Sequence, residues 1–292
     1  MNARGFGATL AAALLAMPAA AVPIPRKVLA LYRTAHIPEV VKDPFFLPTH
    51  QHLEMPLNWL GLELEHVNID EGLPNEAALS GVRGIIFWLP TTHAFTDPRP
   101  LCRWLDSSMR RGIKVLVFGE MGFHRQGAPG LLDVDQECKE MLSSLGLRYE
   151  GIRAFDPLDV AIGTASSSGI GFERKVDLSD SSEFRMIHLS PGATPYLRLD
   201  FQKDPNLYTT PVAVTARGGV ALTPFALYSN LALNPPHYAW VVEPFKFLAE
   251  SLGLKGLPRP DVTTINGRRV YTSHIDGDGL RLALDLDERV LC

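Results

Sequence analysis

Two acidic residues near the carboxyl end of the sequence could carry hydrolytic chemistry. They are Asp276 and Asp278, which flank Gly277 in the segment SHIDGDG. The glycines beside them have no Cβ atom, so both carboxylates can point at one ligand without obstruction. In such a pair, one carboxylate can bind a metal ion while the other removes a proton from the attacking water. A calcium-type loop and an ordinary Asp-Gly turn are the alternatives for the same residues.

A second group of candidates follows the predicted strands in the amino-terminal part of the chain. Glu120 comes after the apolar segment IKVLVF, and His93 comes after GIIFWL. Ligands of open α/β sheets bind outside the carboxyl ends of the strands, so both side chains are predicted ligand contacts in one cleft. Local hydrogen bonding of a lone histidine is the alternative for His93. His50 and His52 have a spacing that can chelate a metal, but the surrounding prolines favour a loop with solvated histidines.

The segment PRPDVTTINGRRVYTSHIDGDG, residues 258–279, resembles the entry into the deacetylase domain of exported bacterial polysaccharide-modifying proteins. These are relatives of the Pel-type exopolysaccharide deacetylase and, more distantly, of the carbohydrate esterases that include chitooligosaccharide deacetylases. The usual family loop has adjacent aspartates, whereas Gly277 separates them here, as in the Pel-type branch. The resemblance implies that Asp276 is the general base and that Asp278 binds a divalent metal such as zinc. It also implies a polysaccharide substrate, whose N-acetyl groups are hydrolysed, and association with envelope exopolysaccharide machinery.

The same resemblance requires two further histidines, usually in an H-x-x-x-H arrangement downstream. No histidine follows His274 in this sequence, and a hydrolytic zinc site normally takes three protein ligands. We therefore expect this chain to lack the activity. Residues 269–292, which end in Cys292, are expected to be the truncated start of a deacetylase barrel that belongs to a longer or frameshifted protein.

The elements that position these residues alternate between apolar strand segments and amphipathic helices. This order predicts a doubly wound α/β domain over residues 24–255, with a parallel sheet covered on both faces and a β-rich elaboration. A linker is predicted over residues 256–268. The predicted strands are 27–32, 62–69, 84–89, 113–118, 184–189, 196–201, 212–216 and 269–275. The predicted helices are 74–79, 98–111 with Asp97 as its cap, 133–145 and 241–252, and a turn is predicted at Gly218-Gly219.

The predicted α/β domain resembles class I glutamine-amidotransferase-like and flavodoxin-like folds. In the amidotransferases a nucleophilic cysteine sits on the sharp turn after a buried strand. Glu120 and Met121 occupy that turn here, and neither can replace a thiolate nucleophile. The domain is therefore predicted to be non-catalytic. A module that binds a glycan or an envelope protein is the alternative to an enzyme.

The first 21 residues have the pattern of a secretory signal peptide. Arg4 precedes an apolar segment, and the small residues Ala19, Ala20 and Ala21 fit a cleavage site before Val22. The apolar segment is shorter than the roughly 20 residues of a membrane span. The predicted location is therefore periplasmic or secreted, with no membrane span after cleavage.

Composition narrows the remaining classes of function. A net charge of -4 provides no basic surface for a nucleic acid, so a nucleic-acid partner is not expected. Three cysteines do not make a disulfide framework. Cys102 and Cys138 share helical spacing with apolar residues and are predicted to be small core residues rather than ligands.

Overall fold

The computed structural model describes residues 24–36, 44–124, 134–179, 181–233, 236–259, 264–265 and 268–269. The α-helices are Glu54–Trp59 (α1), Arg99–Arg110 (α2), Gln136–Leu145 (α3) and Pro244–Ser251 (α4). A π-helix covers Thr49–Leu53, and short 3-10 helices cover Thr34–His36, Pro44–Phe46, Ile69–Glu71 and Pro157–Asp159. The strands are Lys27–Tyr32 (β1), Glu63–Asn68 (β2), Val82–Leu89 (β3), Lys114–Gly119 (β4), Leu147–Ala154 (β5), Val160–Ala165 (β6), Glu183–Leu189 (β7), Thr194–Phe201 (β8), Tyr208–Thr215 (β9), Gly218–Leu222 (β10), Leu227–Asn230 (β11), His237–Trp240 (β12), Thr264–Ile265 (β13) and Arg268–Arg269 (β14).

An eight-stranded mixed sheet forms the centre of the fold, in the order β2-β1-β3-β4-β10-β9-β8-β6. The neighbouring pairs from β2 to β10 are parallel, and those from β10 to β6 are antiparallel. The predicted α/β class is therefore confirmed, and the predicted β-rich region continues the same sheet beyond its parallel part. Strands β5 and β7 form a separate antiparallel pair, and β11 and β12 form a hairpin.

Helices cover both faces of the parallel strands. On one face, α2 and α3 bury apolar residues such as Leu105 and Leu142 against Ile85 and Val117. On the other face, α1 and α4 pack residues such as Leu57 and Phe247 against β3 and β4. Strands that are buried on both faces are continuous apolar segments, which is why GIIFWL and IKVLVF were recognisable in the sequence.

Cys102 and Cys138 form a disulfide. The prediction that they are simply small core residues is therefore wrong about their chemistry, although both side chains are fully buried. Cys102 lies on α2 and Cys138 on α3, and these adjacent helices bring the two sulfur atoms together. Helical spacing gave the apolar face of each helix, but it could not show that the two faces meet at these residues.

The predicted turn at Gly218-Gly219 is wrong, because both glycines lie in strand β10. Gly218 has a φ of 148°, and a Cβ atom on it would lie 1.8 Å from the carbonyl oxygen of Val115. The glycine is required for the close approach of β10 to β4, which is a common reason for glycine inside a strand. The reversal between β9 and β10 instead falls at Ala216-Arg217.

Two predicted helices also differ from the structure. Residues 76–80 form a turn rather than a helix, because the Asn75 side chain accepts the backbone N–H of Ala78 and so short a helix is marginal by itself. The helix predicted from Val241 begins at Pro244. The Glu243 carboxylate caps it by accepting the backbone N–H groups of Phe245 and Lys246.

Candidate functional site

The turn after β4 places Glu120 at the carboxyl edge of the parallel strands. Gly119 has a φ of 80°, and a Cβ atom there would lie 2.3 Å from the carbonyl oxygen of Leu89 on the neighbouring strand. Backbone hydrogen bonds fix the turn on both sides: Glu120 N–H donates to Leu89, and Thr223 N–H donates to Gly119, each at 2.9 Å. Glycine therefore allows the sharp exit from the strand, as the sequence indicated.

Glu120 forms an ion pair with Arg185 of strand β7. The Nε atom of Arg185 lies 2.7 Å from Oε2 of Glu120, and the two side chains are only 16% and 18% exposed. The two opposite charges attract each other at short range in a site that is largely shielded from solvent. Burial raises the pKa of Glu120, Arg185 opposes this rise, and the nearby Glu183 carboxylate reinforces it. Each charge of this pair depends on the other, because an uncompensated charge is costly in a desolvated site.

An open cleft of about 320 Å³ lies beside this ion pair. Its lining combines hydroxyl groups, two carboxylates, one guanidinium and one aromatic ring. Ser181 is 6% exposed, and its hydroxyl has no hydrogen-bond partner among the described residues. The lining residues are Glu120, Ser181, Ser182, Glu183, Arg185, Thr223, Pro224, Tyr228 and Ser229.

The predicted partner of Glu120, His93, does not appear among the described residues that line this cleft. Its Nδ1 atom lies 3.0 Å from the hydroxyl of Thr92, and its backbone pairs with Phe123. His93 is therefore satisfied locally, as the alternative interpretation had it. Its ring lies 5.6 Å from the ring of His124, which sequence analysis did not single out.

His124 and Tyr149 form a buried polar pair next to the ion pair. The Nε2 atom of His124 lies 2.8 Å from the Tyr149 hydroxyl. Burial raises the pKa of Tyr149, while Arg185 lowers it and Glu120 raises it further. Tyr149 is thus electrostatically coupled to the cleft residues and stays a neutral phenol at physiological pH.

A group of aromatic side chains packs on the face of the sheet that α1 and α4 cover. It consists of His52, Trp88, Tyr238 and Trp240, which we call the aromatic cluster. The ring of His52 lies 5.5 Å from that of Trp88, 4.9 Å from that of Tyr238 and 6.4 Å from that of Trp240. Burial lowers the pKa of His52, so its ring is neutral at neutral pH.

The prediction of a loop with solvated histidines is therefore wrong. His50 and His52 lie in the π-helix Thr49–Leu53. His50 pairs with Glu54, one turn further on, while the ring of His52 contacts Trp88, Tyr238 and Trp240. A contact between residues so distant in sequence as His52 and Tyr238 leaves no local pattern from which it could have been predicted.

The predicted hydrolytic residues Asp276 and Asp278 lie outside the described residues. Within the described part of the chain, no group of three or more His, Cys, Asp or Glu side chains is placed to hold a metal ion. None of the helices described is both long and apolar enough to cross a membrane.

The sequence matches no protein-family model and no curated protein. The chemistry of the residues at the carboxyl edge is therefore the basis for assigning a function.

Proposed function

We propose that the α/β domain binds a polysaccharide chain in an exported, deacetylase-like protein and is not itself the hydrolytic centre. The observation that supports this most strongly is the composition of the cleft beside Glu120. Carboxylates accept hydrogen bonds from sugar hydroxyls, a guanidinium donates to them, and Ser and Thr hydroxyls can do both. The cleft is open and rich in hydroxyl and charged groups, which suits a ligand with many hydroxyl groups such as a sugar.

The ion pair supports a binding role for Glu120 rather than a nucleophilic one. Glu120 occupies the turn in which the amidotransferases carry their cysteine, but its carboxylate is held by Arg185. A nucleophile of that class needs a thiolate and an adjacent base. A fixed pair of opposite charges instead offers an acceptor and a donor in a constant geometry, which suits recognition of a polar ligand.

The hydrolytic step remains a proposal for the segment that contains Asp276 and Asp278. By resemblance, Asp276 would accept a proton from water and Asp278 would bind a divalent metal such as zinc. The donor set within this sequence does not complete such a site: Asp278 supplies one ligand where three are usual, and no histidine follows His274.

Export is supported by two independent features. The amino-terminal residues have the order of charge, apolar core and small residues that is typical of a signal peptide. The disulfide between Cys102 and Cys138 is compatible with an oxidising compartment. We therefore propose a periplasmic or secreted location, with envelope exopolysaccharide as the ligand.

The test is calorimetric titration of the full chain, purified after export, with N-acetylated oligosaccharides of the glucosamine and galactosamine types. We expect the wild type to bind, and the dissociation constant to rise at least tenfold in E120Q and in E183Q. The side chain of Glu183 is exposed, so its substitution should not disturb folding, and weaker binding by E183Q would reflect a lost contact with the ligand. The matched control is E137Q, because Glu137 forms an exposed ion pair with Arg103 away from the cleft. If no member of the panel binds, or if E120Q and E183Q bind like the wild type, glycan recognition by this cleft is refuted.

A further inference from the structure

The hairpin β11–β12 connects the cleft to the aromatic cluster. Ser229 on β11 lies directly opposite Tyr238 on β12, and opposite residues of an antiparallel pair project from the same face. Ser229 lines the cleft, whereas Tyr238 contacts His52 in the aromatic cluster. One face of the hairpin therefore carries both a residue that lines the cleft and a residue of the aromatic cluster.

Trp88 of the aromatic cluster also lies next to the turn that carries Glu120. A Cβ atom on Gly119 would lie 3.0 Å from Cδ1 of Trp88, so Trp88 covers the glycine that directly precedes Glu120. Trp88 is held in place by Phe118, whose ring stacks on it at 5.3 Å and 14° between planes. The position of the indole relative to Glu120 is thus fixed by the sheet itself.

The aromatic cluster is partly exposed to solvent. Tyr238 is 40% exposed, and His52, Trp88 and Trp240 are only partly buried. The hairpin is anchored beneath it: the Glu173 carboxylate accepts the backbone N–H of Trp240 at 2.6 Å. Exposed aromatic rings on a rigid support can stack against the C–H face of a pyranose ring, because the face of an aromatic ring carries negative charge density.

We propose that the aromatic cluster is a second sugar subsite, and that it forms with the cleft one continuous track for a polysaccharide of at least two pyranose units. This inference rests on the proposed glycan binding by the cleft. The cleft supplies hydrogen bonds through Glu120 and its neighbours, and the cluster supplies stacking through Tyr238. Such a track binds consecutive sugar units within a polymer and does not require a chain end.

The experiment compares the dissociation constants of a disaccharide and a hexasaccharide from the same N-acetylated series. In the wild type we expect the hexasaccharide to bind at least tenfold more tightly. In Y238A this preference should fall to about twofold or less, whereas E183Q should weaken both ligands by similar factors. Y238F retains the ring and should restore the preference, which a role of the hydroxyl alone would not do.

The control is W59A, since Trp59 is an aromatic residue of similar exposure, 48%, whose ring contact is with Phe245 on α4. It should keep the wild-type preference for the hexasaccharide. If both ligands bind and Y238A keeps the full preference, the second subsite is refuted while glycan binding by the cleft stands. If neither ligand binds the wild type, the failure belongs to the proposed function itself.

Discussion

Reduction of the disulfide between Cys102 and Cys138 should destabilise the protein by about 4 kcal/mol. The two cysteines are 36 residues apart in sequence. In the chain-entropy description, closing a loop of that length removes about 13 cal/mol/K from the unfolded ensemble, or about 4 kcal/mol at 25 °C. The bridge joins α2 to α3, so its loss should also weaken the packing of the face that these helices cover.

The measurement is urea unfolding followed by tryptophan fluorescence, with oxidised and reduced samples of one protein. We would use C292S as the background, because it removes the third cysteine and prevents disulfide exchange. Comparing redox states of the same sequence avoids the cavity that substitution of two fully buried cysteines would create. Mass spectrometry after alkylation should show both thiols protected in the oxidised sample and labelled in the unfolded, reduced sample.

Two results would contradict this reasoning. Ready alkylation of Cys102 and Cys138 in the native, unreduced protein would show that the bridge does not form. Equal free energies of unfolding in the two samples, with reduction confirmed as complete, would show that the bridge does not restrict the unfolded chain as calculated.

The remaining predictions concern the sheet and the candidate site. G218A should destabilise the protein by about 3 kcal/mol or more, because the added Cβ meets the backbone of β4. G112A is the control: the φ of Gly112 is also positive, at 89°, but there is open space around it, so this substitution should cost roughly 1–2 kcal/mol. Thermal unfolding of both variants measures the difference. Burial raises the pKa of Glu120 above its ordinary value of 4.5, so the folded protein binds this proton more tightly than the unfolded chain does. The free energy of unfolding of the wild type, minus that of E120Q, should therefore fall as the pH rises through and above 4.5. Urea titrations in which this difference rises over the same range would contradict the raised pKa. Y149F should lose about 1–3 kcal/mol, because it removes the hydroxyl that bonds a fully buried histidine, and unchanged stability would mean that this hydrogen bond is not formed.

Much of the architecture could be predicted because the parallel strands are buried on both faces. Such strands must be continuously apolar, so β1, β3 and β4 stand out in the sequence within one or two residues of their observed ends. The predicted carboxyl end of α3 at Leu145 also agrees with the structure, where Gly146 adopts the left-handed conformation that is typical after a helix. The turn predicted at Gly218-Gly219 was wrong because the same local pattern can have two physical causes. Glycine pairs occur in turns, and they also occur where two strands approach closely, as at Gly218.

The candidate site could be predicted only in part. Glu120 was identified because its position depends on chain order alone, at the end of a buried strand. Its partner Arg185 lies 65 residues further along the sequence (185 − 120). Nothing in the residues around a strand arginine indicates which carboxylate it will pair with. The same holds for Tyr149 beside His124. The raised pKa values of Glu120 and Tyr149 depend on burial, which is a property of the assembled sheet.

The sequence by itself determined the class of fold and the apolar faces of its strands and helices, because each depends on residue type and spacing along a short segment. The signal peptide and the hydrolytic role of the acidic residues beside Gly277 stay predictions from the sequence. Only the tertiary structure decided that Cys102 meets Cys138, that Arg185 balances Glu120, and that Ser229 and Tyr238 share one face beside the cleft. The physical reason is that these interactions act through space over a few ångströms, between segments whose separation along the chain leaves no periodic trace.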